Sequence, residues 1–169
     1  MDDILKEATS QKNNILKSMK TVILGTIDSN SNPNSSYAPS VIDENGDFFI
    51  YISKLSKHTR NLLKNPAVSI MIIEDEEKSE NIFARKRFTI NAQSKEIIRD
   101  SDIWNEKILL MEKKFGESIS FLKNLTDFYL FKLKPKDGLL VHGFARAFKF
   151  KGQHLDEIDY LNDQGHTQK

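Results

Sequence analysis

Arg85 and Arg87 stand two residues apart in IFARKRFT, within a run read as a strand over Phe83–Ala92. Successive strand side chains alternate between faces, so this spacing puts both guanidinium groups on one face. Two permanent cations on one face are costly to leave unpaired. They suit a carboxylate-bearing ligand, or the carboxylates of the preceding loop, Asp75, Glu76 and Glu77. Upstream, Lys57, His58, Thr59 and Arg60 sit where a short helix over residues 57–64 begins. Free backbone N–H groups and a positive dipole end favour phosphate or carboxylate there. The same residues read equally well as a cap and solubilising start. His142 and Arg146 fall in HGFARAF, where Gly143 inside a strand marks a bulge or a close backbone approach. A histidine so placed is more often hydrogen-bonded within its strand than a ligand. Phe144 and Phe148 read as core, or as the lining of a flat ligand. His166 follows Gly165 in a polar tail, an ordinarily solvated position, and His154 reads as surface.

These residues need a scaffold, and bulk properties bound it. The chain has 169 residues, enough for one domain with a substantial core. Its formal net charge of +1 gives no general push towards nucleic acid or an anionic membrane. No apolar run approaches the roughly 20 residues needed to span a bilayer. The polar start, MDDILKEATSQKNNILKSMK, lacks the order of a secretory signal. The absence of cysteine removes disulfides, thiolate metal sites and cysteine nucleophiles, and is compatible with a cytoplasmic location. Any metal must use His, carboxylates or a prosthetic group. The sequence carries no nicotinamide fingerprint and no redox thiol, so a redox reaction here takes its electrons from an external donor.

Hydrophobic periodicity orders the elements. Residues 2–17 form an amphipathic helix. Strands follow over Thr21–Asp28, Tyr37–Asp43 and Phe48–Ile52, separated by SNSNPNS and by Glu44-Asn45-Gly46, which has hairpin chemistry. After the short helix come Val68–Ile73, bounded by the Asn65-Pro66 breaker, and Phe83–Ala92, joined by the acidic loop. One or two helices span Asp100–Leu125, with Trp104, Ile108, Leu109, Met111 and Phe115 as an apolar stripe. Phe128–Leu133 and Leu139–Phe150 are the last strands, with Pro135–Gly138 turning the chain between them. The tail carries a helical turn over Leu155–Leu161. The pattern is α+β with mostly antiparallel pairing. About six strands close more economically than they lie flat, because closure removes edges, so a small antiparallel barrel with peripheral helices is expected.

HTRNL, NP, the strand ending IEDE, IFARKRFT, HGFARAF and the terminal GH pair together resemble the HugZ-type haem oxygenases. These form the haem-utilisation branch of the pyridoxamine-phosphate-oxidase-like split barrels. The resemblance runs from about Thr21 to the end. It implies a six-stranded antiparallel split β-barrel with peripheral helices over residues 1–151, and a C-terminal haem-contacting tail over 152–169. It implies a homodimer that degrades haem with dioxygen, opening the porphyrin to a biliverdin and releasing ferrous iron and carbon monoxide for iron acquisition. Haem is then both substrate and cofactor. His166 matches the axial ligand to the haem iron, and neutral imidazole suits that role. Arg87 matches the catalytic strand arginine on the distal side, with Arg85 two residues away as the competing assignment. His58, Arg60, Arg85, His142 and Arg146 are assigned to haem binding. In the wider group the neighbourhood of His58 holds the phosphate of FMN. Here His58 replaces a small or basic residue, so the basic side chains are given to haem propionates. An FMN-binding oxidoreductase and a non-catalytic haem-binding protein remain as alternatives, the latter needing the ligand but not the arginine.

Overall fold

The fold is that of a computed structural model describing residues 2–152 and 154–161. Six strands pair antiparallel: β1 (Thr21–Ile27), β2 (Pro33–Ile42), β3 (Phe48–Ser53), β4 (Ala67–Ile73), β5 (Arg87–Ile97) and β6 (Phe128–Val141). Their order is β3-β2-β1-β4-β5-β6, and β3 also pairs with β6, so the sheet closes into an antiparallel barrel. β7 (Ala147–Lys151) extends the sheet from β6, and β8 (Glu157–Tyr160) extends it from β7. Helix α1 (Asp2–Ser18) packs Ala8 and Ile15 against the barrel core, and α2 (Lys57–Leu62) links β3 to β4. α3 (Asp102–Phe115) and α4 (Glu117–Leu122) lie between β5 and β6. Ser101 caps α3 by accepting the Trp104 N–H, and Gly116 at φ 66° ends it. No helix among the described residues is long and apolar enough to cross a membrane.

The hydrophobic run FFIYI makes β3 the wall between two cores. Phe48, Ile50 and Ile52 face the barrel interior with Ile70, Phe88, Ile90, Phe131 and Leu140. Phe49 and Tyr51 face outward and are covered by Trp104, Ile108, Met111 and Ile119 of α3 and α4. A strand buried on both faces needs such continuous apolarity rather than alternation. Of the stripe expected on α3, Leu109 is instead exposed.

Five segments depart from the sequence reading. β2 starts at Pro33, inside the expected SNSNPNS turn, where Pro33, Asn34 and Ser35 pair with β1. Pro135–Gly138 is no turn. β6 runs through it, with the register against β5 shifting between Asn91 and Ala92. This bulge is where a strand accommodates a proline that cannot donate to the ladder. The Leu139–Phe150 strand is broken by a turn at residues 142–146, where the His142 N–H donates to Arg146 O and Ala145 takes φ 54°. Leu155–Leu161 contains strand β8, not a helical turn. β5 begins only at Arg87, because residues 82–84 form a single 3₁₀ turn in which the Asn81 side chain accepts the Phe83 N–H. Arg85 therefore lies off the strand, and the same-face argument for the two arginines does not hold.

Gly138 sits where β6 crosses over Phe88. A Cβ there would lie 2.5 Å from Cε2 and 2.7 Å from Cζ of that fully buried ring. Gly138→Ala is expected to destabilise by about 1–3 kcal/mol through overpacking, read as a lowered urea midpoint. An unchanged midpoint would mean that the ring has room to move.

Candidate functional site

Two groups of the singled-out residues emerge, and they share no lining residue. The first surrounds a cavity of about 690 Å³ between β2, β3, the start of α2 and the α3–α4 pair. Its walls are largely apolar: Tyr37, Met111, Phe115, Ile119, Leu122 and Phe128. Ser36, Tyr51, Lys57 and His58 supply the polar groups. Lys57 is paired with Asp28 at 3.2 Å. Of the lining residues, Ser36 Oγ and His58 Nε2 are buried without a hydrogen-bond partner. Orphaned buried polar atoms cost roughly 1–3 kcal/mol each, so a pair of them at one cavity is what a site awaiting a polar ligand group looks like. Arg60 does not join them. Its guanidinium turns back to the Lys54 and Leu55 carbonyls.

Burial pushes the His58 pKa down, so its imidazole is neutral at pH 7. The folded-state value thus lies below the unfolded one. Stability is complete above about pH 6.5 and falls below it, because the unfolded chain binds the proton first. The loss is at most about 1.4 kcal/mol per pH unit for one such group. His58→Gln is expected to reduce the drop in urea midpoint between pH 7.5 and pH 5. An identical drop in the variant would show that His58 charges freely when folded.

The wall residue Tyr51 is held by Arg99, whose Nη1 donates to its hydroxyl at 3.0 Å. Arg99 Nη2 donates to the Lys123 and Leu125 carbonyls at 2.8 and 2.6 Å and so ties down the end of α4. Tyr51, Arg99 and the α4 wall were not singled out from sequence. The uninterrupted FFIYI run, with Tyr51 as its one polar-tipped member, was the available signal, since a strand buried on both faces reads that way.

The second group lies around the turns β4–β5 and β6–β7. Arg85 Nε donates to Glu74 O at 2.7 Å, and its Nη1 pairs with Glu76 at 3.1 Å. Its fork is thereby committed to the acidic loop. Arg87 is half-buried between its strand partners Ile73 and Val141, and its Nη1 donates to Arg85 O at 2.9 Å. His142 lines a polar cavity of about 380 Å³ with Glu74, Lys86 and Phe144. Its ring stacks on Phe148 at 5.2 Å, and Phe148 stacks on Tyr160 at 4.7 Å. His142 Nε2 is buried without a partner, and burial is the main cause lowering its pKa. Arg146 pairs with Glu7 at 2.8 Å. His154 lies against the Asn45 carbonyl at 3.1 Å. His166 lies outside the described residues. β8 leads to it from beside this second group, since the Leu161 N–H donates to Ala147 O and the Tyr160 hydroxyl to Ala145 O.

A closed barrel with a ligand-sized cavity beside the β3–α2 corner invites comparison. The family model described as pyridoxamine 5'-phosphate oxidase matches residues 8–142. A curated Vibrio cholerae serotype O1 protein named heme oxygenase HutZ is 45% identical over 147 residues, 87% of this chain and 82% of that one. The chain belongs to the HugZ-type, haem-utilisation branch of the pyridoxamine-phosphate-oxidase-like split barrels. A crystal structure of the Vibrio cholerae HutZ, described as a heme storage protein, superposes with a TM-score of 0.74 at 41% identity, covering 86% of this chain and 96% of that one. That of Campylobacter jejuni ChuZ gives 0.86 at 29% identity, covering 97% of this chain and 66% of that one. The split-barrel family thus accounts for the closed barrel, which its model covers up to the end of β6.

Proposed function

We propose that this split barrel binds haem and, with dioxygen and an external electron donor, opens the porphyrin ring to release iron, acting in the cytoplasm as a homodimer. The observation that carries the reading is the cavity of about 690 Å³, apolar in its walls and edged by the orphaned Ser36 and His58. A tetrapyrrole has that character, with a flat apolar ring and two carboxylates at one edge. A volume of this size lies within the range of cofactor sites. The 45% identical relative named heme oxygenase supports the chemistry.

Haem would supply the redox-active iron and would itself be the ring that dioxygen attacks. The chain's residues bind and polarise. His58, neutral in its buried setting, and Ser36 offer hydrogen bonds to a polar edge. His166 brings an imidazole from the tail as iron ligand. The Arg87 guanidinium would donate hydrogen bonds to the negative charge that develops as dioxygen is reduced. Lys86 and His142 make the surroundings polar beside Glu74, and Arg146 is paired with Glu7.

One barrel does not unite these parts, and a second copy supplies the missing half. A cross-strand row on the outer face, Tyr37–Ile23–Met71–Thr89–Leu139, runs over five strands in register. Tyr37 is 67% exposed, and Ile23 and Leu139 are also exposed. Such an apolar stripe suits a like partner, with the arginine turns of one copy beside the cavity of the other. Ile23→Asp is expected to give monomers in sedimentation and to lose haem binding with them. A monomeric variant that binds haem as the parent does would show that the site is complete in one chain.

The description of the HutZ structure as a storage protein favours a second reading, haem holding without turnover. It needs the cavity and the ligand but gives Arg87 no task.

A further inference from the structure

A second cavity, of about 610 Å³, lies across the aromatic core from the first and is lined by four lysines, Lys95, Lys107, Lys132 and Lys134. Only Asp43 and Glu106 among its lining residues are acidic, and both go to Lys107, at 3.1 and 2.6 Å. Lys132 pairs with Asp47. Lys95 and Lys134 make no ion pair among the described residues. The strand register concentrates the charge. Lys95 on β5 stands directly opposite Lys132 on β6, and Gln93 directly opposite Lys134. Like charges facing each other across a ladder destabilise it; Asp47 offsets the charge of Lys132, while Lys95 and Lys134 have no such partner among the described residues. Beside them, Ile103 of α3 lines the cavity and is 53% exposed. Apolar residues next to unpaired cations make a surface complementary to an acidic protein face with an apolar centre.

Its position gives that surface a task. Phe49 lines this cavity and Tyr51 lines the first. They are two residues apart on β3, about 7 Å along the strand. Both pack in one aromatic cluster, where the Tyr51 ring lies 6.2 Å from that of Trp104. A protein seated on the lysines is thus separated from the ligand cavity by one layer of side chains. Resting on the haem reading above, we propose that the Lys95–Lys132–Lys134 surface docks the acidic face of a one-electron donor protein. Each encounter passes one electron, lost by the donor and gained by ferric haem, with no bond made or broken at the patch. Long-range attraction of this kind acts chiefly on the rate of encounter and fades with salt.

The test uses an acidic flavodoxin as the donor and the charge-reversed variant Lys95→Glu/Lys134→Glu, whose changes lie on the exposed side of paired strands. Calorimetry of oxidised flavodoxin with the haem-free chain at low ionic strength should show binding weakened by about 10-fold or more in the variant, and parent binding that fades as salt is raised. Reduction of the haem-loaded chain by reduced flavodoxin should slow by a similar factor, while reduction by dithionite is unchanged. Equal flavodoxin binding by parent and variant would overturn the proposal. So would slowing with both reductants, which would place the lysines in the ligand site. Inorganic phosphate binding one-to-one to the parent and not to the variant would make the cavity a small-anion site, and equally overturn it. A chain that takes up no haem would defeat the functional reading instead, and the calorimetric result on docking would stand apart from it.

Discussion

Arg87→Ala is expected to keep haem affinity within a few-fold of the parent while slowing haem degradation by about 100-fold or more, the scale on which losing one preorganised donor to a developing anion is felt. The geometry distinguishes this arginine from its neighbour. Arg85 is committed to the Glu74 carbonyl and the Glu76 carboxylate. Arg87 spends one guanidinium nitrogen on the Arg85 carbonyl, leaving other N–H donors for a reacting group. An interaction made only as charge develops changes rate rather than ground-state binding. Arg85→Ala is the control. It opens the acidic loop and is expected to cost less than 1 kcal/mol for its exposed ion-pair partner, with a milder effect on turnover. Single-turnover decay of the bound haem spectrum measures both. If Arg87→Ala degrades haem at the parent rate, the residue is structural and the distal assignment fails.

His166→Ala is the second large effect. Its expected outcome is loss of the parent Soret position and a fall in haem affinity exceeding the 10–100-fold that removal of a ligand's supporting partner costs. Adding imidazole should restore the spectrum, because the cavity and His58 are untouched. The Leu161 N–H, five residues before His166 in the chain, donates to the Ala147 carbonyl. A variant with unchanged spectrum and affinity would move the ligand role to another histidine.

The barrel was legible because each strand carries its own signal. Glu44-Asn45-Gly46 delivers the β2–β3 hairpin, with Gly46 at φ 78° and Asp43 Oδ1 accepting the Asn45 and Asp47 N–H groups. The errors came where local chemistry and tertiary pairing disagree. Pro135 and Gly138 are strong turn residues, but a bulge against β5 takes up the first, and close packing over Phe88 requires the second. Glu157–Tyr160 alternates polar and apolar residues, but over only four positions in an otherwise polar tail, too short a run to stand out as a strand. It pairs because the β7 edge is free and because Lys12, buried in α1, holds the preceding turn through the Leu155 carbonyl at 2.7 Å.

The site was legible by residue type more than by place. His58 was drawn from the basic run, and its environment is an apolar cavity whose other walls, Met111, Phe115 and Ile119, come from helices about 50 residues away in sequence. Nothing in a linear pattern shows which helix covers which strand. Arg85 and Arg87 have even spacing and so share a face only if both lie on the strand. The Asn81 cap that starts the 3₁₀ turn removes Arg85 from it.

The central claim is tested most directly by following the absorption of the haemin-loaded protein in air after a reductant is added. Haem degradation requires a Soret band that forms on mixing and then bleaches, with a biliverdin-like absorption rising and ferrous iron trapped by a chelator in equal amount. A Soret band that shifts on reduction and then persists would make the protein a haem holder. A protein that is yellow as purified and gives no Soret band with haemin would place FMN, not haem, in the cavity.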